Sequence, residues 1–255
     1  MTTYNETKLT KLINSVKPDT VVLASWLESI GISRDLQKHY RNSNWLASMG
    51  AGAFKRPGDT ISWQGGLYPL QYQAKFNVHA GAITALSLLG LSHYFRLNEE
   101  KIFLFTSRDT RLPKWFLIHD WSQPVAQYKT SFLPLETGLV EYQEKNFPIK
   151  IASAERAILE CLYLAPTTID LLESFHLMEG LTNLRPKLLQ DLLQNCSSIK
   201  VKRLFLYLAE KINHDWFQFI DTSSIDLGSG NRRITPGGVY ESKYQITIPT
   251  ELAQL

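Results

Sequence analysis

The sequence predicts an α+β protein, in which a small N-terminal module of helices and a hairpin precedes a mixed α+β domain. Two observations carry this prediction. Before residue 60, apolar residues recur at helical spacing and are interrupted by Ser, Pro and Gly signals that end each segment. After residue 100, short strand-like segments come first and longer helical patterns follow. The 255 residues, 44% hydrophobic and 20% charged, have the composition of a globular protein.

The first two predicted helices lie before residue 32. Pro18 ends the first of them, whose apolar face comprises Leu9, Leu12, Ile13 and Val16. The segment "SWLESIG" predicts the second helix, with Ser25 and Glu28 at the spacing of a capping box. Gly31 follows at its end, where a positive φ costs a glycine little.

A third helix is predicted from Ser33, its capping residue, to about Ser43, which completes a helix-turn-helix pattern. Leu36 and Tyr40, four residues apart, are expected to face the core. The opposite stripe at i, i+3, i+4 and i+7 is polar and consists of Arg34, Gln37, Lys38 and Arg41. Such a stripe suits the major groove of DNA, where Arg and Lys bind guanine and Gln binds adenine, but a solvated helix face has the same pattern.

The hairpin that follows favours the first of these interpretations. "WLASM" and "AFKRP" are strand candidates separated by Gly50, Ala51 and Gly52. A hairpin directly after such a helix forms a winged helix-turn-helix, and Lys55 and Arg56 at its end are expected to contact phosphates or the minor groove. Residues 1–57 contain eight Lys and Arg against four Asp and Glu, whereas the remaining residues contain 19 against 20. We therefore predict DNA binding through Ser33, Arg34, Gln37, Lys38, Arg41, Lys55 and Arg56.

Helices and strands continue beyond the wing. Ser62 is expected to cap a helix in "SWQGGLYPLQ", and "VHAGAITALSLLG" predicts a strand followed by a Leu-rich helix. In the second half, "KIFLFTS", "KWFLIHD", "LVEYQ" and "FPIKIAS" are strand candidates. Helices are then predicted in "SAERAILECLYLAP", ended by Pro166, and in "LLESFHLMEG", with Thr167 and Asp170 as capping residues. Two more are predicted in "LRPKLLQDLLQN" and "IKVKRLFLYLAEKI".

A glycine-rich segment near the C-terminus is a second candidate binding site. In "LGSGNRR", Gly228 and Gly230 flank a turn that displays Arg232 and Arg233, before "YQITIP" resumes as a strand. Glycines let backbone N–H groups approach an anion, and paired arginines bind phosphate. Two interpretations stay open: a solvent-exposed hairpin, or a loop that binds the anionic groups of RNA or a nucleotide.

No pattern of catalytic residues stands out, so we expect a protein that is not an enzyme and uses no cofactor. The six histidines include no i, i+4 pair, and no metal site is predicted. Asp109, Gln143 and Lys145 match a nuclease pattern poorly, because Gln stands where an acidic metal ligand is usual. Cys161 and Cys196, in apolar surroundings, are predicted to be buried thiols. No apolar segment approaches the roughly 20 residues of a membrane span, and "MTTYNETKLTKLINSV" lacks a signal-peptide core, so a cytoplasmic protein is expected.

Several segments together resemble a known family. "RPGD" after the wing, "WQGGLYPLQ" and "TALSLLGLSHY" are similar to the AbiEi antitoxins of type IV toxin–antitoxin systems, in the branch with a defined N-terminal domain. "LGSGNRRITPGGVYESKYQITIP", residues 227–249, resembles the same family, so the resemblance covers nearly the whole chain. Gly81, Ala82 and Ile83 precede Thr84 where the family often has a Gly-Gly pair and a basic residue, so no role is inferred for that basic position.

The resemblance implies an N-terminal domain over residues 1–95 and a C-terminal domain over residues 96–255. It implies that the winged helix binds inverted repeats in double-stranded promoter DNA and represses its own operon, as a monomer in solution or a dimer on DNA. It also implies that the C-terminal domain counters a nucleotidyltransferase-type toxin, directly or indirectly, in abortive infection. The alternative is a stand-alone winged-helix regulator whose C-terminal domain binds a ligand or mediates oligomerisation.

Overall fold

A computed structural model describes residues 7–91 and 101–255 of the chain. The chain divides into two compact units: unit 1 comprises Met1–His79, Asp109–Val125 and Glu141–Lys150, and unit 2 comprises Ala80–Arg108, Ala126–Val140 and Ile151–Leu255. The predicted boundary between residues 95 and 96 lies outside the described residues and stays a prediction. The helices are α1 (Lys8–Ser15), α2 (Ala24–Ser29), α3 (Arg34–Asn42), α4 (Trp63–Tyr72), α5 (Ala82–Leu88), α6 (Lys114–Ile118), α7 (Ala154–Leu164), α8 (Leu171–Glu179), α9 (Pro186–Asn195), α10 (Ile199–Ile212) and α11 (Thr250–Gln254). The strands are β1 (Val22–Leu23), β2 (Ala47–Gly50), β3 (Ala53–Lys55), β4 (Val78–Ala80), β5 (Ile102–Thr106), β6 (Val125–Lys129), β7 (Leu139–Gln143), β8 (Pro148–Ala152), β9 (Arg232–Arg233), β10 (Val239–Glu241) and β11 (Ile246–Ile248).

The first helices of unit 1 largely follow the sequence prediction. α3 begins after Ser33, whose Oγ accepts a hydrogen bond from the backbone N–H of Leu36 at 3.4 Å. α2 differs, because it starts at Ala24 and Leu23 in its cap position provides no side-chain hydrogen bond. The predicted capping box of Ser25 and Glu28 is therefore wrong: β1 leads directly into α2 and leaves Ser25 inside the first turn.

The predicted hairpin is formed by β2 and β3. β1, which was not predicted, pairs with β3, so the sheet has the antiparallel order β1-β3-β2. Gly50 and Gly52 adopt φ angles of +138° and +73°, which a residue with a side chain rarely takes, and they allow the tight turn. The helices and the sheet share one buried core of Leu12, Val16, Val22, Leu27, Ile32, Tyr40, Leu46 and Phe54. This arrangement confirms the predicted winged helix-turn-helix.

Unit 1 continues with α6, where a strand was predicted. The prediction for "KWFLIHD" is wrong, because a short apolar run does not distinguish a helix from a strand, and here Pro113 precedes a helix that buries Trp115 and Phe116. Trp121 secures the end of this helix by donating its Nε1–H to the carbonyl of Phe116 at 2.7 Å. A Cβ atom placed on Gly50 would come within 2.6 Å of the Cβ of Trp115, so the hairpin turn lies directly against α6.

The larger sheet includes four strands that the sequence predicted, β4, β5, β7 and β8. Their sheet has the order β6-β5-β4-β8-β7, and β4 runs parallel to β8 through the pair Ala80 and Ile151. β6 was not predicted, since its sequence "VAQYK" has little apolar alternation and its first four residues are only half-buried. A smaller sheet has the order β10-β11-β9, with β10 antiparallel and β9 parallel to β11.

The helical part of unit 2 follows the prediction closely. α7, α8, α9 and α10 occupy the four predicted segments, and α8 is capped by Asp170, whose Oδ1 accepts from the N–H groups of Leu172 and Glu173. Thr167 is not a cap, because its hydroxyl donates to the carbonyl of Leu164 instead. Both cysteines are buried thiols, as predicted. Within the described residues, no helix combines the length and apolar character that crossing a membrane requires.

Candidate nucleic-acid interface

The turn between α2 and α3 fixes the angle at which α3 leaves the core. Gly31 has φ of +89°, and its N–H donates to the carbonyl of Glu28 at 2.9 Å. The N–H of Ile32 donates to the carbonyl of Leu27 at 2.9 Å, and both of these side chains are fully buried. The first residue of α3, Arg34, therefore lies beside the last turn of α2.

Three of the four predicted stripe residues on α3 face solvent. Arg34, Lys38 and Arg41 are exposed, one turn apart along the helix. Gln37 is only 3% exposed, and its Nε2 donates to the carbonyls of Ala24 at 3.1 Å and Ile32 at 2.9 Å. Gln37 lies only about 60° around the helix from Tyr40, on the flank that α2 covers. The structure therefore does not place Gln37 on the exposed stripe.

The two arginines of the stripe are held by neighbouring side chains. The Nε of Arg34 donates to Oε1 of Glu28 at 2.8 Å, and the Arg34 side chain is 84% exposed. This hydrogen bond and the accompanying ion pair raise the pKa of Arg34 above its ordinary value. The guanidinium of Arg41 lies 5.5 Å from the centre of the Phe54 ring, within the range of a cation–π contact. Both guanidinium groups are thus oriented before any ligand arrives.

An open groove of about 760 Å³ separates α3 from the hairpin. Its walls are the last turn of α2, the exposed face of α3 and the turn of the β2–β3 hairpin, and its lining includes Glu28, Arg34, Arg41, Ser48 and Gly52. Two arginines, a serine hydroxyl and backbone N–H groups are the donors that bind phosphate oxygens and base edges. The groove has the chemistry of a nucleic-acid interface.

The two cations at the end of the hairpin make contacts within unit 1 and are only partly exposed. The Nζ of Lys55 donates to the carbonyl of Asp59 at 2.6 Å. The Nη2 of Arg56 donates to the carbonyls of Ile13 and Val16 at the end of α1. The two hydrogen bonds from Arg56 satisfy carbonyls at the end of α1, where partners within the helix are lacking. The structure therefore brings together Arg34, Lys38 and Arg41 but does not bring Lys55 and Arg56 into the groove.

The glycine-rich segment near the C-terminus surrounds a buried cation. Arg203 of α10 is 2% exposed and donates from Nε to the carbonyl of Leu227 at 2.8 Å and from Nη2 to that of Gly228 at 3.2 Å. Its Nη1 donates to the carbonyls of Gly230 at 2.6 Å and Gln245 at 3.2 Å. The segment therefore turns carbonyl oxygens, rather than N–H groups, toward its centre.

The paired arginines of this segment lie on its outer side. Arg232 and Arg233 form β9 and are both exposed, while the N–H of Gly228 is used by Oδ1 of Asp226 at 2.8 Å. Arg203 was missed as the organising residue because the bonds it forms are long-range. The only sequence signal was a Lys-x-Lys-Arg cluster at the start of an otherwise apolar helix.

Two ion pairs on α7 account for further buried charges of unit 2. Glu155 pairs with Arg185 at 2.9 Å, and Arg156 pairs with Glu160 at 2.8 Å. Burial opposes ionisation of Glu155, but hydrogen bonds from Arg185 outweigh it and lower the pKa of Glu155 to about 2. Glu160 also accepts a hydrogen bond from the N–H of Ala82 at 3.0 Å. These carboxylates stabilise the packing of α7, and among the described residues no three His, Cys, Asp or Glu side chains are grouped to hold a metal ion.

Comparisons with known proteins find a matching family and a solved structure with a similar fold. A family model described as "Transcriptional regulator, AbiEi antitoxin N-terminal domain" matches residues 5–97, and one described as "Transcriptional regulator, AbiEi antitoxin, Type IV TA system" matches residues 99–249. Among solved structures, the chain is similar to the RV2827C protein from Mycobacterium tuberculosis, with a TM-score of 0.55 over 93% of this chain and 88% of that one. At 13% identity this similarity concerns the fold alone. No curated protein matches the chain.

Proposed function

The chain belongs to the AbiEi family of antitoxins, transcriptional regulators of type IV toxin–antitoxin systems, and on that premise we propose that unit 1 binds double-stranded promoter DNA and represses its own operon. α3 enters the major groove and the β2–β3 hairpin follows the adjacent backbone. One observation carries the proposal: Arg34, Lys38 and Arg41 are exposed on successive turns of the helix that follows the glycine turn, beside an open groove.

The charges of this surface set the expected strength and symmetry of binding. Each cation that neutralises a phosphate contributes a slope of about −0.9 to the dependence of log K on log salt concentration. Two copies on an inverted repeat double that contribution and place the two α3 helices about one turn of DNA apart. The proposal places the protein in the cytoplasm, where promoter DNA is found.

The test compares DNA binding of the full-length chain with that of two charge-matched variants. The triple variant Arg34→Ala, Lys38→Ala, Arg41→Ala is expected to bind the promoter at least ~100-fold more weakly and with a smaller salt slope. The control variant Lys129→Ala, Lys145→Ala, Lys187→Ala removes the same charge from exposed positions elsewhere and should bind as the wild type does. Fluorescence anisotropy on promoter and scrambled duplexes measures both. Equal losses in the two variants would show that net charge, and not this surface, drives binding.

We further propose that the C-terminal domain counters a toxin of the nucleotidyltransferase type, directly or indirectly. The family model that matches residues 99–249 supports this division, and Arg232 and Arg233 offer exposed cations on β9 for an anionic partner. The triple α3 variant, supplied from an independent promoter, should then rescue cells from the induced toxin although it no longer represses. Charge reversal at Arg232 and Arg233 should give the opposite result. Repression without any rescue by the wild type would instead favour a stand-alone regulator.

A further inference from the structure

The pairing of Glu28 with Arg34 carries an inference about what the interface recognises. We propose that Arg34 binds the major-groove edge of a guanine in each operator half-site and that Glu28 is the residue that positions it. The inference rests on the proposed DNA-binding function and adds to it a specific base and a specificity-determining pair.

The atoms used by the ion pair determine which edge of Arg34 is left for DNA. The Nε–H of Arg34 donates to Oε1 of Glu28 at 2.8 Å. The outer face of the guanidinium, which carries Nη1 and Nη2, is therefore left to bind DNA. Two parallel N–H groups on that face match the N7 and O6 acceptors of guanine, and the major groove presents these two acceptors together at guanine. Arg34 is the first residue of α3, and the N-terminal residues of a recognition helix are those that contact base edges.

Glu28 contributes orientation as well as charge. A free arginine on the surface loses rotamer entropy when it binds, and a side chain already held by a partner loses less. The carboxylate also disfavours a nearby phosphate, which would otherwise compete with the base for the same guanidinium. With 38% of its side chain exposed, Glu28 is close enough to the groove to exert this repulsion. The pair therefore directs Arg34 toward a base rather than the backbone.

The other polar residues of α3 are less suited to reading a base. The amide of Gln37 is used within the core by Ala24 and Ile32. Lys38 lies on α3 outside the lining of the groove, and its ammonium lacks the planar pair of N–H groups that an arginine offers to guanine. Arg41 lies over the Phe54 ring, which holds its guanidinium against the sheet. Base selection on this helix thus falls to Arg34.

A scan of the operator with 7-deazaguanine tests the inference, because this base lacks the N7 acceptor and keeps Watson–Crick pairing. Full-length wild type is expected to lose ~5- to 150-fold in affinity when one particular guanine of each half-site is replaced. Arg34→Ala removes both N–H groups, so it should become insensitive to that replacement, and its loss of affinity for scrambled DNA should match that of Lys38→Ala, which removes the same charge. Lys38→Ala, the matched control, should bind more weakly overall and keep the full sensitivity.

Glu28 is tested by the same scan. Glu28→Ala should reduce the guanine sensitivity and raise the affinity for scrambled DNA, since a negative charge is removed from the groove. Glu28→Gln keeps an oxygen acceptor for Nε and should restore part of the sensitivity. Full sensitivity in Arg34→Ala or in Glu28→Ala would overturn the inference and leave the proposed function intact. Failure of the wild type to prefer its promoter over scrambled DNA would instead overturn the proposed function itself.

Discussion

We expect the substitution Arg203→Met to release the segment around residues 227–245 from α10. Methionine matches the apolar stem of arginine but offers no donor, so four carbonyl oxygens each lose a hydrogen bond: those of Leu227, Gly228, Gly230 and Gln245. The carbonyl of Gln245 keeps the N–H of Arg232 as a second donor at 2.8 Å. A hydrogen bond from a charged donor contributes about 1.5–3 kcal/mol, but these four share one guanidinium, and the cost of burying that cation offsets part of the sum. Arg203→Met leaves neutral carbonyl oxygens without this donor, at about 1–3 kcal/mol for each one that stays buried, and we take about 3–5 kcal/mol as the expected total loss.

Chemical and thermal unfolding followed by circular dichroism measure this loss. For a chain of this size, each kcal/mol lowers Tm by about 2–4 °C, so Arg203→Met should unfold about 6–20 °C earlier. Arg203→Lys keeps the charge but concentrates its donors on one nitrogen, so its stability should lie between that of wild type and that of Arg203→Met. Arg233→Met, in the same segment but exposed, is the control and should change stability by less than about 0.5 kcal/mol. An Arg203→Met protein within about 1 kcal/mol of wild type would refute the view that this cation holds the segment.

Two further predictions concern a buried ion pair and the buried amide of α3. The pKa of Glu155 is lowered in the folded state from 4.5 to about 2, so its pairing with Arg185 stabilises the fold fully above pH 4.5 and is lost as the pH falls toward 2. Urea unfolding should show Glu155→Gln about 1–3 kcal/mol less stable than wild type at pH 7, with a difference that shrinks progressively below pH 5. A difference as large at pH 3 as at pH 7 would contradict this. Gln37→Ala should lower stability by about 1–3 kcal/mol by leaving the carbonyls of Ala24 and Ile32 without their donor. In anisotropy measurements, Gln37→Ala should lower the affinity for operator DNA and for scrambled DNA by the same factor. A loss of affinity confined to the operator would show that Gln37 does contact a base.

Local signals in the sequence were sufficient where a residue acts on its own neighbours. Ser33, Ser62 and Asp170 cap the helices they were predicted to cap, because a cap is a contact over two or three residues. The glycines of the hairpin were placed correctly for the same reason. The prediction that Ser25 caps α2 was wrong because β1, the strand that sets where α2 begins, has only two residues and therefore no recognisable sequence pattern.

The candidate interface depends on contacts between segments, which the spacing of residues in the sequence does not predict. Helical spacing placed Gln37 with the cations, but whether a flank residue is exposed depends on what packs beside it, here the carbonyls of α2 and of the turn. The pairing of Glu28 with Arg34 spans a turn whose geometry the spacing alone does not define. Arg203 depends on a segment more than twenty residues later in the chain. Each of these contacts requires the tertiary fold, and no single window of sequence contains it.

Trp115 packs against the wing at Gly50 although a long stretch of chain separates the two residues. Unit 1 includes residues 109–125 and 141–150, which come later in the chain than the winged helix, and the chain passes between the units at residues 79, 108, 125, 140 and 150. A gene fragment that stops at residue 95 therefore encodes α3 and the hairpin without the tryptophan that supports the hairpin turn. The winged helix is therefore supported by segments from two distant parts of the chain, and the full-length protein is the form in which its hairpin turn keeps that support.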